Sequence, residues 1–282
     1  MYTLKVRNQY DEILELSPNE GYVITDIIGI DPPDAVINTT RNSNADGSVV
    51  NSAYADNRTI TITLAINGPA EDNRINLYRY FKSKYPVQLY YQNDTRDVSI
   101  SGFVQNFNVG FFDKKQIAQI TIFCPNPFFN GASDNITEFS SIEDLFEFPF
   151  SIEEEGIEFS RLLINQETNV INGGDIDTGT VITLRAVGIV TNPTIYNTET
   201  NEFFGLNLSL EQGDVVTINT KKKEKSVKLL RDGATQSIIG KIRYGSTWFQ
   251  LSPGDNLFIV TADTFPGNLY TTFAVVDQFE GV

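Results

Sequence analysis

Two segments in the first half of the chain alternate between apolar and polar residues. Thr59–Ile66 places isoleucine or leucine at every second position and mostly threonine between them. Ile117–Cys124 alternates in the same way, with Ala118, Ile120, Ile122 and Cys124 on one face. Successive side chains of a strand point to opposite faces, so each segment predicts a strand with one face on a core. We expect Cys124 to be a small buried hydrophobe.

The second of these strands ends at a proline-rich segment. Pro125 and Pro127 cannot donate a ladder hydrogen bond, and Phe128 and Phe129 follow them. The composition then changes for about thirty residues, and a length of 282 residues is typical of about two domains. We therefore predict a first domain at 1–139 and a second at 140–282.

One helix is predicted, at about 73–85. Four apolar residues recur there at helical spacing: Ile75, Tyr78, Phe81 and Tyr85. Asp72 is a candidate N-cap, and Pro86 marks a point by which the helix has ended. The aromatic stripe is most simply a side that packs on the sheet.

Asn38–Arg58 differs from its surroundings because it is polar and rich in asparagine and serine. Asp46-Gly47 is a pair that favours a hairpin turn. Long polar segments of this kind are either exposed loops or functional. The segment is thus an exposed hairpin or an arm that contacts a neighbouring subunit.

The second half is also rich in β-forming residues. Gly174-Asp175, Gly213-Asp214 and Gly254-Asp255 each introduce an apolar segment, as turn residues do. Lys221–Lys225 indicates a hairpin tip between two strands. A calcium site at Asp175 and Asp177 lacks the dense set of oxygen ligands that such sites need.

Composition excludes several classes of chemistry. The sequence has no histidine and one cysteine, so a Ser-His-Asp or Cys-His nucleophile and a histidine-rich metal site are excluded. The net charge of −15 disfavours binding to nucleic acid and to anionic membranes. No dinucleotide or phosphate-binding glycine motif is present. The 36 acidic residues offer many carboxylate pairs for glycoside hydrolysis, but nothing singles out one pair.

The N-terminal residues lack the apolar region of a signal peptide, and no apolar run approaches the ~20 residues of a membrane helix.

Trp248, the sole tryptophan, lies beside Phe249 and close to Leu251. This setting favours packing in a core or at its edge, with stacking on a sugar ring as the alternative.

Cys124–Phe129, which reads C-P-N-P-F-F, resembles the C-x-D-P-Y-F signature of the distal tail protein family of long-tailed phages, the siphovirus-type tail component. Asn126 and Phe128 depart from that signature. Other parts of the resemblance follow in order: Gly29-Ile30, Asp46-Gly47, Arg58, Arg74–Lys84, Asn172–Asp175, Asn192–Ile195, Gly213-Asp214 and Trp248–Asn256. The resemblance therefore runs through both predicted domains.

This resemblance implies a mainly β protein. Its N-terminal domain would be a β-sandwich or split barrel with one α-helix, and its C-terminal domain a galectin-like β-sandwich. Family members form a homo-hexameric ring at the virion tail tip, made in the host cytoplasm. The ring joins the tail tube protein to the tail-associated hub or fibre protein, and DNA crosses its lumen without specific binding. The resemblance implies no enzymatic activity, cofactor or metal.

If a ring forms, we predict subunit or tube contacts at two places in the first domain. One is the arm, at Asn44, Asp46, Gly47 and Val49. The other is the turn formed by Asp113, Lys114 and Lys115. The alternative function is a carbohydrate-binding module for attachment to the host cell wall, which would use the second domain and Trp248.

Overall fold

The computed structural model describes residues 2–41, 43–44, 46–110, 116–139, 142–144, 160–162 and 167–282. Over these residues the protein is mainly β, with 23 strands and one α-helix, which confirms the predicted fold class. It divides into two compact units, Met1–Ala132 with Gln278–Val282, and Ser133–Asp277. The division predicted at 139/140 differs from these units in the placement of 133–139 and 278–282.

The first unit is built on antiparallel strands with one helix between the sixth and seventh. Its elements are β1 (Thr3–Arg7), β2 (Ile13–Glu15), β3 (Tyr22–Ile28), β4 (Ala35–Thr40), β5 (Val49–Ala55), β6 (Arg58–Ile66), α1 (Ala70–Tyr80), β7 (Pro86–Gln92), β8 (Asp97–Val109), β9 (Gln116–Cys124) and β10 (Phe129–Phe139), which continues into the second unit.

Strand β8 organises the first unit. Its first half pairs with β7 on one edge, and Phe103 pairs with both Pro86 of β7 and Phe123 of β9. Ser99 in turn pairs with Asn130 of β10. Strands β9 and β10 therefore follow one another along the same edge of β8, interrupted by the proline-rich segment. The order through β9 is β2-β1-β7-β8-β9-β6-β3, with β10 paired to the first half of β8.

The two alternating segments form neighbouring strands, and their apolar faces meet the core as predicted. Strand β6 pairs with β9 so that Ile60 lies opposite Ile122 and Ile62 opposite Ile120. These four side chains are buried, as is Cys124 at the end of β9. Burying an isoleucine side chain stabilises a fold by about 1.5–3 kcal/mol, so this pair of strands contributes much of the core.

The helix differs from its predicted form. It begins after Pro69 and spans Ala70–Tyr80, without a side-chain N-cap. Its buried residues are Leu77 and, just beyond its end, Phe81. Of the four residues of the predicted stripe, Phe81 is buried, and Tyr78 is partly exposed but meets Phe107 of β8 edge to face, with ring centroids 5.0 Å apart. The predicted packing of Ile75 and Tyr85 is wrong, since both are exposed. The helix starts earlier and ends earlier than the aromatic spacing indicated, so a different side faces the sheet.

The second unit holds the remaining strands. They are β11 (Ile142–Asp144), β12 (Ser160–Leu162), β13 (Glu167–Asn169), β14 (Thr180–Ala186), β15 (Val190–Thr191), β16 (Thr194–Asn197), β17 (Glu202–Gly205), β18 (Ser209–Leu210), β19 (Val215–Asn219), β20 (Ser226–Arg231), β21 (Ala234–Ser237), β22 (Leu257–Thr261) and β23 (Leu269–Phe279), which returns to the first unit.

Two antiparallel sheets of the second unit share one core. One has the order β23-β14-β19-β20-β21 and the other β13-β22-β16-β17. Phe273 of the first sheet contacts Phe258 of the second, with ring centroids 5.0 Å apart. Apolar side chains from both sheets are buried together, which makes this unit a β-sandwich. Its galectin-like character stays a prediction.

Two buried polar side chains of this sandwich, Asp214 and Thr271, differ in their hydrogen-bond partners. The Asp214 carboxylate accepts hydrogen bonds from Arg231 Nε at 2.9 Å and from the Glu211 backbone N–H at 2.8 Å. These contacts, above all the one with Arg231, lower the pKa of Asp214. By contrast, the buried Thr271 hydroxyl has no hydrogen-bond partner within the described part of the chain.

Candidate assembly interface

Strands β4 and β5 form a separate two-stranded hairpin, which we call the arm (35–55). In the described residues, each of the two strands pairs only with the other. Their register begins at Ala35 opposite Ala55 and ends at Thr40 opposite Val49, with a bulge after Asn38. An isolated two-stranded hairpin is at best marginally stable in water, so a partner surface would stabilise it.

The two faces of the arm carry different side chains. Directly opposed residues lie on the same face, so the register sorts them. The apolar face carries Ala35, Ile37, Thr39, Val50, Ala53 and Ala55. The mixed face carries Val36, Asn38, Thr40, Val49, Ser52 and Tyr54. On the mixed face, Asn38 Nδ2 donates to Ser52 Oγ at 3.0 Å, which ties the two strands together.

The large apolar side chains of the arm are exposed on both faces. Ile37 is 59% exposed, and Val49, Val50 and Tyr54 are similarly open. The only charged residues between 35 and 55 are Arg41 and Asp46, so the arm has no net charge in a chain of net charge −15. Charge depletion and exposed apolar and aromatic side chains are the composition of an interface core.

The arm also contains the first group of predicted contact residues. Asn44, Asp46, Gly47 and Val49 are all exposed, three in the connecting loop and Val49 at the start of β5. Gly47 has a φ of 90°, as the predicted hairpin turn requires. The second group, Asp113, Lys114 and Lys115, lies outside the described residues. The contact role of both groups stays a prediction.

Arg58 lies at the root of the arm, where β6 begins, and is only 3% exposed. Among the described residues, its guanidinium donates hydrogen bonds only to backbone carbonyls. Nε donates to Pro127 O at 2.6 Å, and Nη1 donates to Gly29 O at 2.9 Å and Asp31 O at 2.7 Å. Nη2 donates to Glu280 O. One side chain thus joins segments that are far apart in the sequence.

The guanidinium of Arg58 also lies over the ring of Phe129, 4.7 Å from its centroid. Burial lowers the pKa of Arg58 from its ordinary value, but an arginine stays cationic in a protein. Cys124, which pairs with Arg58 across β6 and β9, is fully buried. Burial raises the pKa of its thiol to about 11, against the opposing influence of Arg58. Cys124 is therefore a protonated, buried hydrophobe, as predicted.

Sequence reasoning found Arg58 as part of a motif but missed its role. The sequence does indicate that Arg58 is buried, because it lies two residues before Ile60 and so shares the core-facing side of β6. A charge on the buried face of a strand must be compensated by hydrogen bonds. The groups that compensate the charge were not predictable, since the four carbonyls come from three separate parts of the chain.

Trp248 in the second unit is half-buried. Its ring meets that of Phe204 edge to face, with centroids 5.1 Å apart, and Lys225 Nζ lies 5.6 Å from its centroid. These contacts are those of a residue at the edge of a core. Stacking of Trp248 on a sugar stays a prediction.

The described residues contain neither a cluster of candidate metal ligands nor a helix that could span a membrane. Across those ranges, no three acidic or cysteine side chains are grouped so that they could hold a metal ion. Nor does this part of the chain contain a helix with the length and apolar character of a membrane span.

Comparison with known proteins finds a family model that matches within the second unit. Residues 173–271 match the model of the siphovirus-type tail component, C-terminal domain. This is the family that the sequence motifs resemble. A search of curated protein sequences finds no match.

Solved structures of phage tail proteins share the fold over the full length of the chain. The SPP1 Dit protein, described as a paradigm of the hub adsorption apparatus in Gram-positive infecting phages, is 13% identical with a TM-score of 0.69, covering 99% of both chains. The phage P2 baseplate in its activated conformation, with Ca or with Sr, gives 12% identity, a TM-score of 0.55 and full coverage of both chains. At such identities the likeness establishes the fold.

Proposed function

We propose that the protein is a structural component of a phage tail tip, which forms a homo-hexameric ring between the tail tube protein and the tail-associated hub or fibre protein. DNA would pass through the lumen of this ring. The ring-forming part is the first unit, and the virion tail is its location. The observation that carries the proposal is the combination of the tail-component domain at 173–271 with a Dit-like fold over the whole chain.

The exposed apolar surface of the arm favours a protein that assembles over one that stays monomeric. Its apolar side chains are exposed on both faces, and soluble monomers rarely leave contiguous apolar surface open. Copies with a net charge of −15 repel one another, so they have to meet through surfaces that carry little charge. With one arginine and one aspartate, the arm meets this requirement.

We infer a structural role without enzymatic activity. The sequence contains no histidine, which removes the commonest general base and metal ligand. The buried cysteine has a raised pKa, which opposes a nucleophilic role. Among the described residues, the carboxylate with the clearest pKa shift in the second unit, Asp214, is occupied by Arg231.

The proposal is tested by the mass and shape of the purified protein. We expect multi-angle light scattering to give a species of six chains, alone or with the tail tube protein, and negative-stain images to show rings. Deleting Ser43–Ser52 removes the arm tip and most of β5, so the ring should weaken or disappear. Circular dichroism of the deletion variant checks that the β fold is retained.

Two outcomes would contradict the proposal. A strictly monomeric protein at high concentration, with no ring beside tube or hub partners, removes the assembly role. An unchanged hexamer in the deletion variant leaves the ring but excludes the arm from its interface.

A further inference from the structure

The root of the arm is held far more tightly than the arm itself. The two strands of the arm pair with no other strand among the described residues, and their side chains are largely exposed. The backbone on either side of it is nevertheless fixed. Asp56 N donates to Asp34 O at 2.9 Å and closes the hairpin at its base. The direction in which the arm leaves the core must therefore be set at this root.

Arg58 connects the segment by which the chain enters the arm with the strand by which it leaves. It is the third residue after β5, so it belongs to the strand by which the chain returns from the arm. Its Nη1 donates to Gly29 O and Asp31 O. Both carbonyls lie in residues 29–34, by which the chain enters the arm and which we call the entry segment. Two hydrogen bonds from one nitrogen of this planar side chain orient the entry segment relative to β6. Arginine suits this role because its donors form a rigid fork.

The remaining two hydrogen bonds of Arg58 anchor the root to segments outside the arm. Pro127 O belongs to the segment that separates β9 from β10, and Glu280 O follows the end of β23. Val282 N donates to Ile30 O at 3.2 Å, so the same terminal segment also lies against the entry segment. The entry segment is thus held between Arg58 and residues 280–282.

Glycines at the root permit this close approach. Gly29 has a φ of 88°, and a Cβ added there would lie 2.1 Å from Thr59 O. A Cβ added to Gly281 would lie 3.2 Å from Ile30 O and from Pro32. The entry segment therefore passes close to β6 on one side and to the terminal segment on the other.

We propose that Arg58 is the positioning residue of the arm: by holding the carbonyls of Gly29, Asp31, Pro127 and Glu280 together, it fixes the direction in which β4 and β5 project. Without this fork the hairpin would keep its own pairing but pivot at its root. A fixed direction matters because six arms have to meet their partner surfaces at once, and in this respect the inference rests on the proposed function.

Spin labels measure the direction of the arm in a single chain. Ser52→Cys places a label on the arm and Ser101→Cys places one on β8, and both positions are exposed. Cys124 is buried with a raised pKa and stays unlabelled. Dilution with unlabelled protein keeps the measured distance within one chain. Pulsed electron resonance then gives the distribution of distances between the two labels.

We expect one narrow distribution in the otherwise unaltered protein and about a twofold broader one in Arg58→Lys. A small rotation at the root is amplified along β4, whose six residues extend about 20 Å at roughly 3.3 Å per residue. Lysine keeps the charge but lacks the fork, so it cannot hold all four carbonyls. Gly29→Ala disturbs the entry segment instead of β6 and should also broaden the distribution of distances. This second variant tests the proposal if Arg58→Lys does not fold.

Ile62→Val separates positioning from stability. Ile62 is buried in the same strand, four residues beyond Arg58, and pairs with Ile120 of β9. Its variant should lower stability and leave the distance distribution unchanged. An unchanged width in Arg58→Lys, or equal broadening in Ile62→Val, overturns the positioning role. A narrow distribution in a protein that forms no ring leaves the role of Arg58 intact and removes only the proposed function.

Discussion

Replacing Ile37 by lysine tests the apolar face of the arm directly. Ile37 is 59% exposed in the single chain. Fully burying an isoleucine stabilises by about 1.5–3 kcal/mol, so covering the exposed part on assembly contributes about 1–2 kcal/mol per contact. Every 1.4 kcal/mol is a tenfold change in affinity, so losing the isoleucine alone weakens each contact by about 5- to 30-fold. A lysine that must be desolvated weakens it further.

The matched control is Ile75→Lys on α1. Ile75 is 58% exposed, so the same substitution changes the charge and the exposed apolar surface almost equally. Sedimentation velocity over a concentration series measures the midpoint of assembly for both variants. We expect the midpoint to rise for Ile37→Lys and to stay near its original value for Ile75→Lys. Equal shifts for the two variants, or no shift for Ile37→Lys, would refute an apolar contact through this face.

Three further substitutions probe the second unit, with urea unfolding followed by the fluorescence of Trp248. Thr271→Val removes a buried hydroxyl that lacks a partner in the described residues, so it should raise the unfolding free energy by about 1 kcal/mol. Thr180→Val removes a hydroxyl that donates to a backbone carbonyl and should lower it by about 1 kcal/mol; changes of the same sign would contradict this reasoning. Asp214→Asn should destabilise at neutral pH, because Arg231 lowers the pKa of this carboxylate in the folded state. That contribution is present above the unfolded-state pKa of about 3.9 and is lost as the pH falls through the lower folded-state value, so the gap between Asp214→Asn and the original protein should close in acid; a gap that is independent of pH would refute it.

Alternation in the sequence was enough to predict the centre of the first unit. Ile60 and Ile122, on neighbouring strands, are both buried as their phase indicated. The helix was predicted less well, because only Phe81 of the four residues at helical spacing is buried in the core. Ile75 and Tyr78 are exposed, whereas Leu77 is buried. Periodicity of 3.6 residues does not say which of several apolar stripes meets the sheet when a short helix carries more than one.

The arm was predictable as a segment but not as an interface. Its polar composition and the turn at Asp46-Gly47 indicated a hairpin. The division into an apolar and a mixed face depends on register, and the bulge after Asn38 changes which residues share a face. The hydrogen-bond partners of Arg58 could not be predicted for a different reason. Its partners are carbonyl groups, which every residue has, so no side-chain pattern marks them.

The hydrogen bond between Arg58 and Glu280 spans 222 residues of sequence, and it has a consequence for biosynthesis. Residues 133–277 form the second unit, so the first unit is interrupted by it along the chain. At about 5–20 residues per second, a ribosome needs roughly 10–45 s to make the intervening stretch. During that time the Arg58 guanidinium lacks one of its four acceptors. The root of the arm is therefore expected to close only after Glu280 has left the ribosome.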